Sequence, residues 1–510
     1  MPVLEREPRI HACESRAVSA FASTTRPAGA ARTAFLAVAL GALLGACAVG
    51  PDYRPPQTPT LDEWRSLPSA GVRIESPDAP SLAAWWTTLD DPMLNELIER
   101  ALAGNKTVAQ VRARVVEARA RRGVSAAGFY PTIGASAGAS RSESDGRLGV
   151  PLNDPDAPVS GSSGDAVYAA GFDSLWELDL FGGKRRAFEA ADAQLQASEA
   201  DLRDALITLL GDVALGYTDV RTAQTRLAYA QRNLETQRQS LEIARWRAEA
   251  GLASVLDVEQ ASASYDQTRA QIPALESSLA QAMNRLAVLT GEPPGTLTEL
   301  LAKPRAIPTA PLEIVAGVPA DVLRRRPDIR AAERRLAAQT AQVGVATAAL
   351  YPSLSLSGAI TLQSLSASDV LDGVRSERLA ASLTMPLFRG GALRRNVDVQ
   401  NALLEQALKS YEAVVLAAYE EVDNALVAWV NEQHRHAALL EAAASARRAA
   451  ELALVQYNSG LVDFQTVVTS DRQLITVEDS LAVSQGELVA NLIRLYKALG
   501  GGWSVYEESA

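Results

Sequence analysis

Histidine is nearly absent from this chain, with three in 510 residues beside two cysteines and four methionines. So few nitrogen and sulfur ligands leave little to hold a transition metal. His434 and His436 stand two apart in a helical stretch and face different directions, so they read as solvated surface residues. Cys13 lies near the N-terminus and Cys47 closes an apolar run, which excludes a disulfide framework. Basic excess is missing too: the formal net charge is −11 and the isoelectric point about 5.1, with no footprint for DNA or RNA. No phosphate-cradling loop, dinucleotide fingerprint or H-E-x-x-H zinc signature occurs. The expectation is a chain with no catalytic constellation, metal or cofactor, and so not an enzyme.

Aromatic residues make up only 5% of the sequence, while Ala, Leu, Arg, Glu and Gln abound, which suits long helices more than compact sandwiches. Proline is missing from about Arg185 to Ala250 and from about Leu393 to Ser459. Each stretch reads as one helix of about 65 residues, roughly 95 to 100 Å long. In the first, Leu206, Val213, Val220, Leu227, Leu234 and Leu241 recur every seventh position as a coiled-coil seam. The second continues as Val415, Val422 and Trp429, then degrades through His436 and Ala443. Each rod turns at Gly251 or Gly460 and returns as a shorter helix, the first with an expected kink at Pro273.

The second half of the chain is a degraded copy of the first. Tyr130-Pro131 matches Tyr351-Pro352, Phe181-Gly182-Gly183 matches Phe388-Arg389-Gly390-Gly391, and Ala250-Gly251-Leu252 matches Ser459-Gly460-Leu461. Gly251 and Gly460 lie 209 residues apart, as do Gly291 and Gly500. Anchored on the Tyr-Pro pairs, Asn105 falls opposite Arg326, and Arg324-Arg325-Arg326 reads as a solvated helix start.

At the N-terminus, Thr33 to Gly50 is an apolar run behind Arg26 and Arg32, as in a secretory signal. Leu44-Gly45-Ala46-Cys47 looks like a lipobox, with Cys47 lipidated (palmitate among its acyl groups) and Ala48 permitting outer-membrane sorting. The stretch before Arg26 is longer than an ordinary n-region, which points to a start downstream of Met1. The expected division is a signal peptide over 1–46, a lipidated linker and belt segment over 47–90, repeat 1 over 91–294, a belt linker over 295–320, repeat 2 over 321–500 and a tail over 501–510.

Four segments alternate with period two. Leu354, Leu356, Gly358, Ile360 and Leu362 oppose Ser353, Ser355, Ser357, Thr361 and Gln363; Ile133, Ala135, Ala137 and Ala139 form a smaller counterpart. Tyr168, Ala170, Phe172, Trp176, Leu178 and Leu180 oppose Asp173, Glu177 and Asp179, and Leu379, Ala381, Leu383 and Leu387 follow the same rhythm. Loops over Arg141 to Ala166 and Ser364 to Ser376 join each pair. Such a sheet can lie on a soluble core or cross an outer membrane, for which its strand lengths of about 9 to 11 residues suffice. Four strands close no barrel, and exposed edges do not survive in lipid. Three copies supply twelve strands and twelve helices, so a homotrimer is the natural completion.

The turns carry Ser254, Asp257, Asp463 and Asp471, which serve either as helix caps or as a gate ring around a threefold axis. Several further stretches narrow the choice. Val49-Gly50-Pro51-Asp52-Tyr53 after Cys47, Trp85-Trp86 to Asn105, Leu323 to Ile329, Leu256-Asp257-Val258-Glu259-Gln260-Ala261 and Thr268 to Glu276 together make the chain similar to the TolC-type outer-membrane factor family, most closely its NodT/OprM-like lipoprotein branch. The resemblance covers nearly the whole mature chain. It implies a mainly α protein with β, a trimeric α/β-barrel channel. Each protomer gives four strands to a twelve-stranded transmembrane barrel and long coiled-coil helices to a periplasmic tunnel. It implies passive export across the outer membrane, with a periplasmic adaptor (membrane fusion) protein and an inner-membrane pump as partners, the RND type being the first expectation.

By the same resemblance Tyr457 and Arg472 match polar contacts of the periplasmic gate. The branch's constricting leucine and aspartate positions fall on Gln465 and Thr469, a departure that leaves Asp463 and Asp471 to supply charge. Adaptor tips dock around Gly251, Leu252 and Ser254 and around Gly460, Leu461 and Asp463. The competing expectation is a lipid-anchored periplasmic coiled-coil scaffold that conducts nothing.

Overall fold

The computed structural model describes residues 48–56, 72–74, 82–141, 166–311, 314–316 and 325–502; Cys47 and the expected signal peptide lie outside them. In chain order the elements are β1 (Val72–Ile74), a 3-10 turn (Trp85–Leu89), α1 (Pro92–Gly104), α2 (Lys106–Ala127), β2 (Thr132–Arg141) and β3 (Ala166–Leu178). The rod α3 (Gly183–Glu249), its return α4 (Val255–Thr290), α5 (Thr298–Leu301) and β4 (Ile314–Ala316) follow. The second repeat holds α6 (Pro327–Ala348), β5 (Ser353–Ser364), β6 (Val374–Thr384), the rod α7 (Ala392–Asn458) and its return α8 (Phe464–Ala498).

The rods are 67 residues each, and each begins after a glycine with positive φ, Gly182 or Gly391, where a side chain would be strained. Asp179 accepts from the backbone of Lys184 at 3.1 Å and Arg185 at 2.8 Å, satisfying two of the first free amides of α3. α4 runs on through Pro273 as one helix. The two expected linkers meet in a short parallel pair, Val72 beside Ile314, which their composition did not announce.

β2, β3, β5 and β6 form one antiparallel sheet in that order. Its register puts Ala135, Phe172 and Ile360 in one row and Trp176, Leu356 and Ala381 in another, so the apolar sets of all four strands share a face. Ser136, Asp173, Glu177, Ser355 and Ser382 lie on the opposite one. β6 starts at Val374, two residues earlier than expected, and Leu387 falls beyond its end rather than on its apolar row. β2 and β6 are its open edges among the described residues.

One apolar core wraps the middle of the rods around Trp85, Trp86, Tyr217, Leu286, Trp429 and Leu492, with Trp85 stacked on Tyr496 at 5.4 Å. A second, smaller one sits at the tips. Between them the expected seam fails: Leu227 and Leu234 are only half-buried, while Asn233, Gln237 and Ser240 are buried in their place. A straight helix drifts about 20° per heptad against a seven-residue repeat, so the inward row moves to neighbouring positions. Asn233 donates there to Glu478 and Gln237 to Ser264, and Glu478 is paired with Arg447.

Arg326 corrects the expectation of a solvated arginine run. It is buried, paired with Asp328 at 2.8 Å and Glu421 at 2.7 Å, and donates to the Ala498 carbonyl at 2.7 Å. His436 is likewise half-buried rather than solvated, and His434 is exposed.

Candidate gate at the helix tips

Both rods end in the same chain reversal. Gly251 and Gly460 take positive φ, with Gly251 N–H donating to the Ala248 carbonyl and Leu252 N–H to that of Arg247. Gly460 and Leu461 repeat the pattern on Tyr457 and Gln456. This glycine-centred stop satisfies carbonyls that a helix end leaves free, which is why glycine recurs at that offset. The return helices then start on side-chain caps. Ser254 and Asp257 form a reciprocal capping box. Asp463 accepts from the Thr466 hydroxyl at 2.6 Å and amide at 3.0 Å, which holds its carboxyl below the usual range. Four of the candidate docking residues are therefore structural at the level of one chain: Gly251, Ser254, Gly460 and Asp463. Leu252 and Leu461 are exposed at the turns, and around the first turn Trp246, Val255 and Leu256 are exposed as well.

The gate candidates separate. Tyr457 is buried, edge-on to Phe464 at 5.2 Å within a cluster of Leu241, Ala244, Ala261, Val467 and Val468. Burial raises its phenol pKa, against the opposing pull of Arg247. Gln465, Thr469 and Arg472 are all exposed and spaced along one face of α8. Gln465 and Thr469 bond each other, while the Arg472 guanidinium makes no ion pair among the described residues. Asp471 is turned the other way, half-buried, and burial pushes its carboxyl up to about 6. It therefore does not share a face with Arg472.

Sequence reasoning missed Arg247. Its guanidinium lies over the Tyr457 ring and donates to the last carbonyls of α7, joining the two hairpins. A basic residue in the last turn of a helix was the available signal, although that usually serves its own helix.

At the opposite end of α3 the residues following Cys47 are strapped down. Val49 N–H donates to the Phe181 carbonyl at 3.0 Å, and Arg186, buried, pairs with Asp52 at 2.6 Å. Gly50 packs so closely on Gly344 that a Cβ would come within 2.5 Å of its Cα, and the Tyr53 hydroxyl donates to Glu333 at 2.8 Å. The Val49 to Tyr53 landmark is thus a docked segment.

A two-faced sheet with open edges carried on paired hairpins is the architecture of the solved outer-membrane channel OprN. That chain is 36% identical, with a TM-score of 0.80 over 90% of this chain and 100% of its own. The profile of the family described as outer membrane efflux protein matches residues 97–292 and 318–501. The chain belongs to the outer membrane efflux protein family. This efflux protein is 32% identical to nodulation protein T of Rhizobium leguminosarum bv. viciae over 92% of its length and 93% of the relative's. Against the pyoverdine export outer membrane protein OpmQ of Pseudomonas aeruginosa it is 33% identical, over 90% and 95%. It is an outer-membrane channel component of a tripartite export system, and the scaffold reading gives way to that one. Family and fold are those of channel proteins.

Proposed function

We propose that this efflux protein acts as a lipid-anchored homotrimer, a passive duct whose periplasmic tips are closed at rest. The observation that carries the reading is the sheet: one face apolar but for the Arg375–Glu377 ion pair at its loop end, one polar face, and two edges that are open among the described residues, which lipid does not tolerate. Three copies join β6 of one to β2 of the next, putting the Leu354, Leu356 and Ile360 face toward lipid and the Ser355 and Asp173 face toward water. Cys47 carries the acyl chains, and the docked Ala48 to Tyr53 segment supports an anchor at the junction of sheet and rods. The division into signal peptide (1–46), belt segments (47–90 and 295–320), two repeats (91–294 and 321–500) and tail (501–510) follows the same reading.

At the tips, Arg472 with Gln465 and Thr469 lines the constriction, and Tyr457 holds the hairpins beneath it. Asp463 keeps its cap, and Asp471 contributes no ring charge beside Arg472. A periplasmic adaptor docks on the exposed leucines of the turns, the first being the more apolar, and relays cargo from an inner-membrane pump of the RND type. Energy comes from that pump.

The test is the protein-only mass of the detergent-extracted protein, by light scattering that subtracts the micelle, followed by conductance in a planar bilayer. A trimer with small, rarely open steps supports the reading. A stable monomer without conductance overturns it.

A further inference from the structure

Within one chain the two repeats meet along a seam, β3 against β5 and α3 against α6. Two contacts mark its membrane end. Phe181 stacks on Tyr351, centroids 4.9 Å apart and planes at 21°. Just below, the Arg186 side chain crosses α6 at Gly344, where a Cβ would meet Arg186 Cγ at 2.8 Å. Only glycine leaves room for that crossing.

Each of these four residues has a counterpart in the other repeat. Tyr130 precedes Tyr351 by 221 residues and Gly123 precedes Gly344 by 221, the separation that also relates Asn105 to Arg326. Phe388 opens the second Gly-Gly landmark as Phe181 opens the first. Arg395 follows Arg186 by 209 residues and repeats its local ion pair: Arg395 with Asp398 at 3.1 Å, Arg186 with Glu189 at 2.8 Å. The counterparts lack the contacts that cross between repeats among the described residues. Tyr130 is 71% exposed and Phe388 89%, and neither makes a ring contact among the described residues. Gly123 has open space where its Cβ would be, and Arg395 is exposed.

We infer that these are two halves of a second seam that a second copy of this chain closes: Phe388 of one copy stacks on Tyr130 of the next, and Arg395 crosses α2 of the next copy at Gly123. The inference rests on the proposed homotrimer and adds which residues face each other in it. The strand edges agree with it. Leu379, Ala381 and Leu383 on β6 lie on the same face of the sheet as Ile133, Ala135 and Ala137 on β2, so the two edges join without turning either apolar row inward. Gly123 is then needed for the reason Gly344 is needed, although a Cβ there would meet nothing within 4 Å among the described residues of its own chain.

Two variants of the full-length protein in detergent test this. Tyr130→Cys combined with Phe388→Cys, treated with a short bis-maleimide, should give linked copies in denaturing gels, absent from either single variant. Phe181→Cys with Tyr351→Cys should link within one chain and leave its apparent mass unchanged. A Cβ at Gly123 has open space in its own protomer, so in Gly123→Leu helix content should stay at the wild-type level while the trimer fraction falls several-fold. A wild-type trimer with no inter-copy link, or a Gly123→Leu trimer fraction equal to wild type, overturns the inference and leaves the channel reading standing. A monomeric wild type overturns the assembly itself.

Discussion

The guanidinium of Arg247, near the end of one rod, lies 4.5 Å over the ring of Tyr457 near the end of the other and donates to the Tyr457 carbonyl at 2.8 Å and the Asn458 carbonyl at 3.3 Å. One side chain thus ties both hairpin tips through two bonds and a ring face. Hydrogen bonds from a charged donor contribute roughly 1.5–3 kcal/mol, and partial exposure of this pair brings the expectation to about 1–2 kcal/mol.

Arg247→Ala should therefore open the second tip locally. In hydrogen exchange, the amides from Tyr457 to Leu461 should exchange about tenfold faster, the change that roughly 1.4 kcal/mol produces. Arg247→Lys keeps the charge but loses the planar fork and should fall between. Exchange unchanged in both variants would remove the tie from any account of closure.

Arg472→Ala separates stability from gating. Arg472 is exposed and without an ion pair among the described residues, so the stability of the protomer should move by less than about 0.5 kcal/mol. Conductance of the reconstituted channel should nonetheless rise, because Arg472 is proposed to line the constriction and truncating it widens the closed end. If conductance matches wild type, the constriction lies elsewhere and the Arg247–Tyr457 tie becomes the first place to look.

Patterns of period two and of long proline-free helix were legible because each is written locally. Leu354 to Leu362 alternate whatever surrounds them, and all four apolar rows fell on one face as read. Gly251 and Gly460 marked their turns because only a residue tolerant of positive φ ends a helix that way. Long-range pairings were not legible. Nothing near Arg326 announces Glu421 or the Ala498 carbonyl, so a buried ion cluster looked like a solvated run. Asp471 and Arg472 are adjacent in sequence, and both stand among the gate candidates. Successive helical residues point about 100° apart, and here one faces the packed side and the other water.

Asn105 and Arg326 offer a comparison between repeats. Asn105 donates to the Leu289 carbonyl at 2.9 Å and caps α2 through Val108 at 2.9 Å. Arg326 does the first task at Ala498 and replaces the cap with charge, holding Asp328 and Glu421. Asn105→Ala should cost about 1–2 kcal/mol, a lost cap and a lost bond. Arg326→Ala should cost more, about 2–4 kcal/mol, because two carboxylates lose their cation. Arg326→Asn, importing the other repeat's solution, should recover little of that. Equal urea midpoints for Arg326→Asn and wild type would show that the charges are dispensable.

Asp204 should make stability depend on pH in the direction opposite to an ordinary salt-bridged carboxylate. Burial and the neighbouring Asp328 and Asp201 push its carboxyl up to about 6, against the pull of Arg326 and Lys497. An unfolded aspartate titrates near about 4, so between about pH 4 and 6 the folded chain binds more protons than the unfolded one. Stability from this group is full below that window and is lost as pH rises through it. The penalty at neutral pH is about 1–2 kcal/mol once partial exposure is allowed for. Asp204→Asn should then be the more stable protein at pH 7.5 and match wild type near pH 4, read as urea midpoints across that range. Arg326→Ala removes the cation that lowers this carboxyl most and should move the window to higher pH. A difference between Asp204→Asn and wild type that stays constant from pH 4 to 8 would mean that the carboxyl is ionised throughout, held so by Arg326 and Lys497.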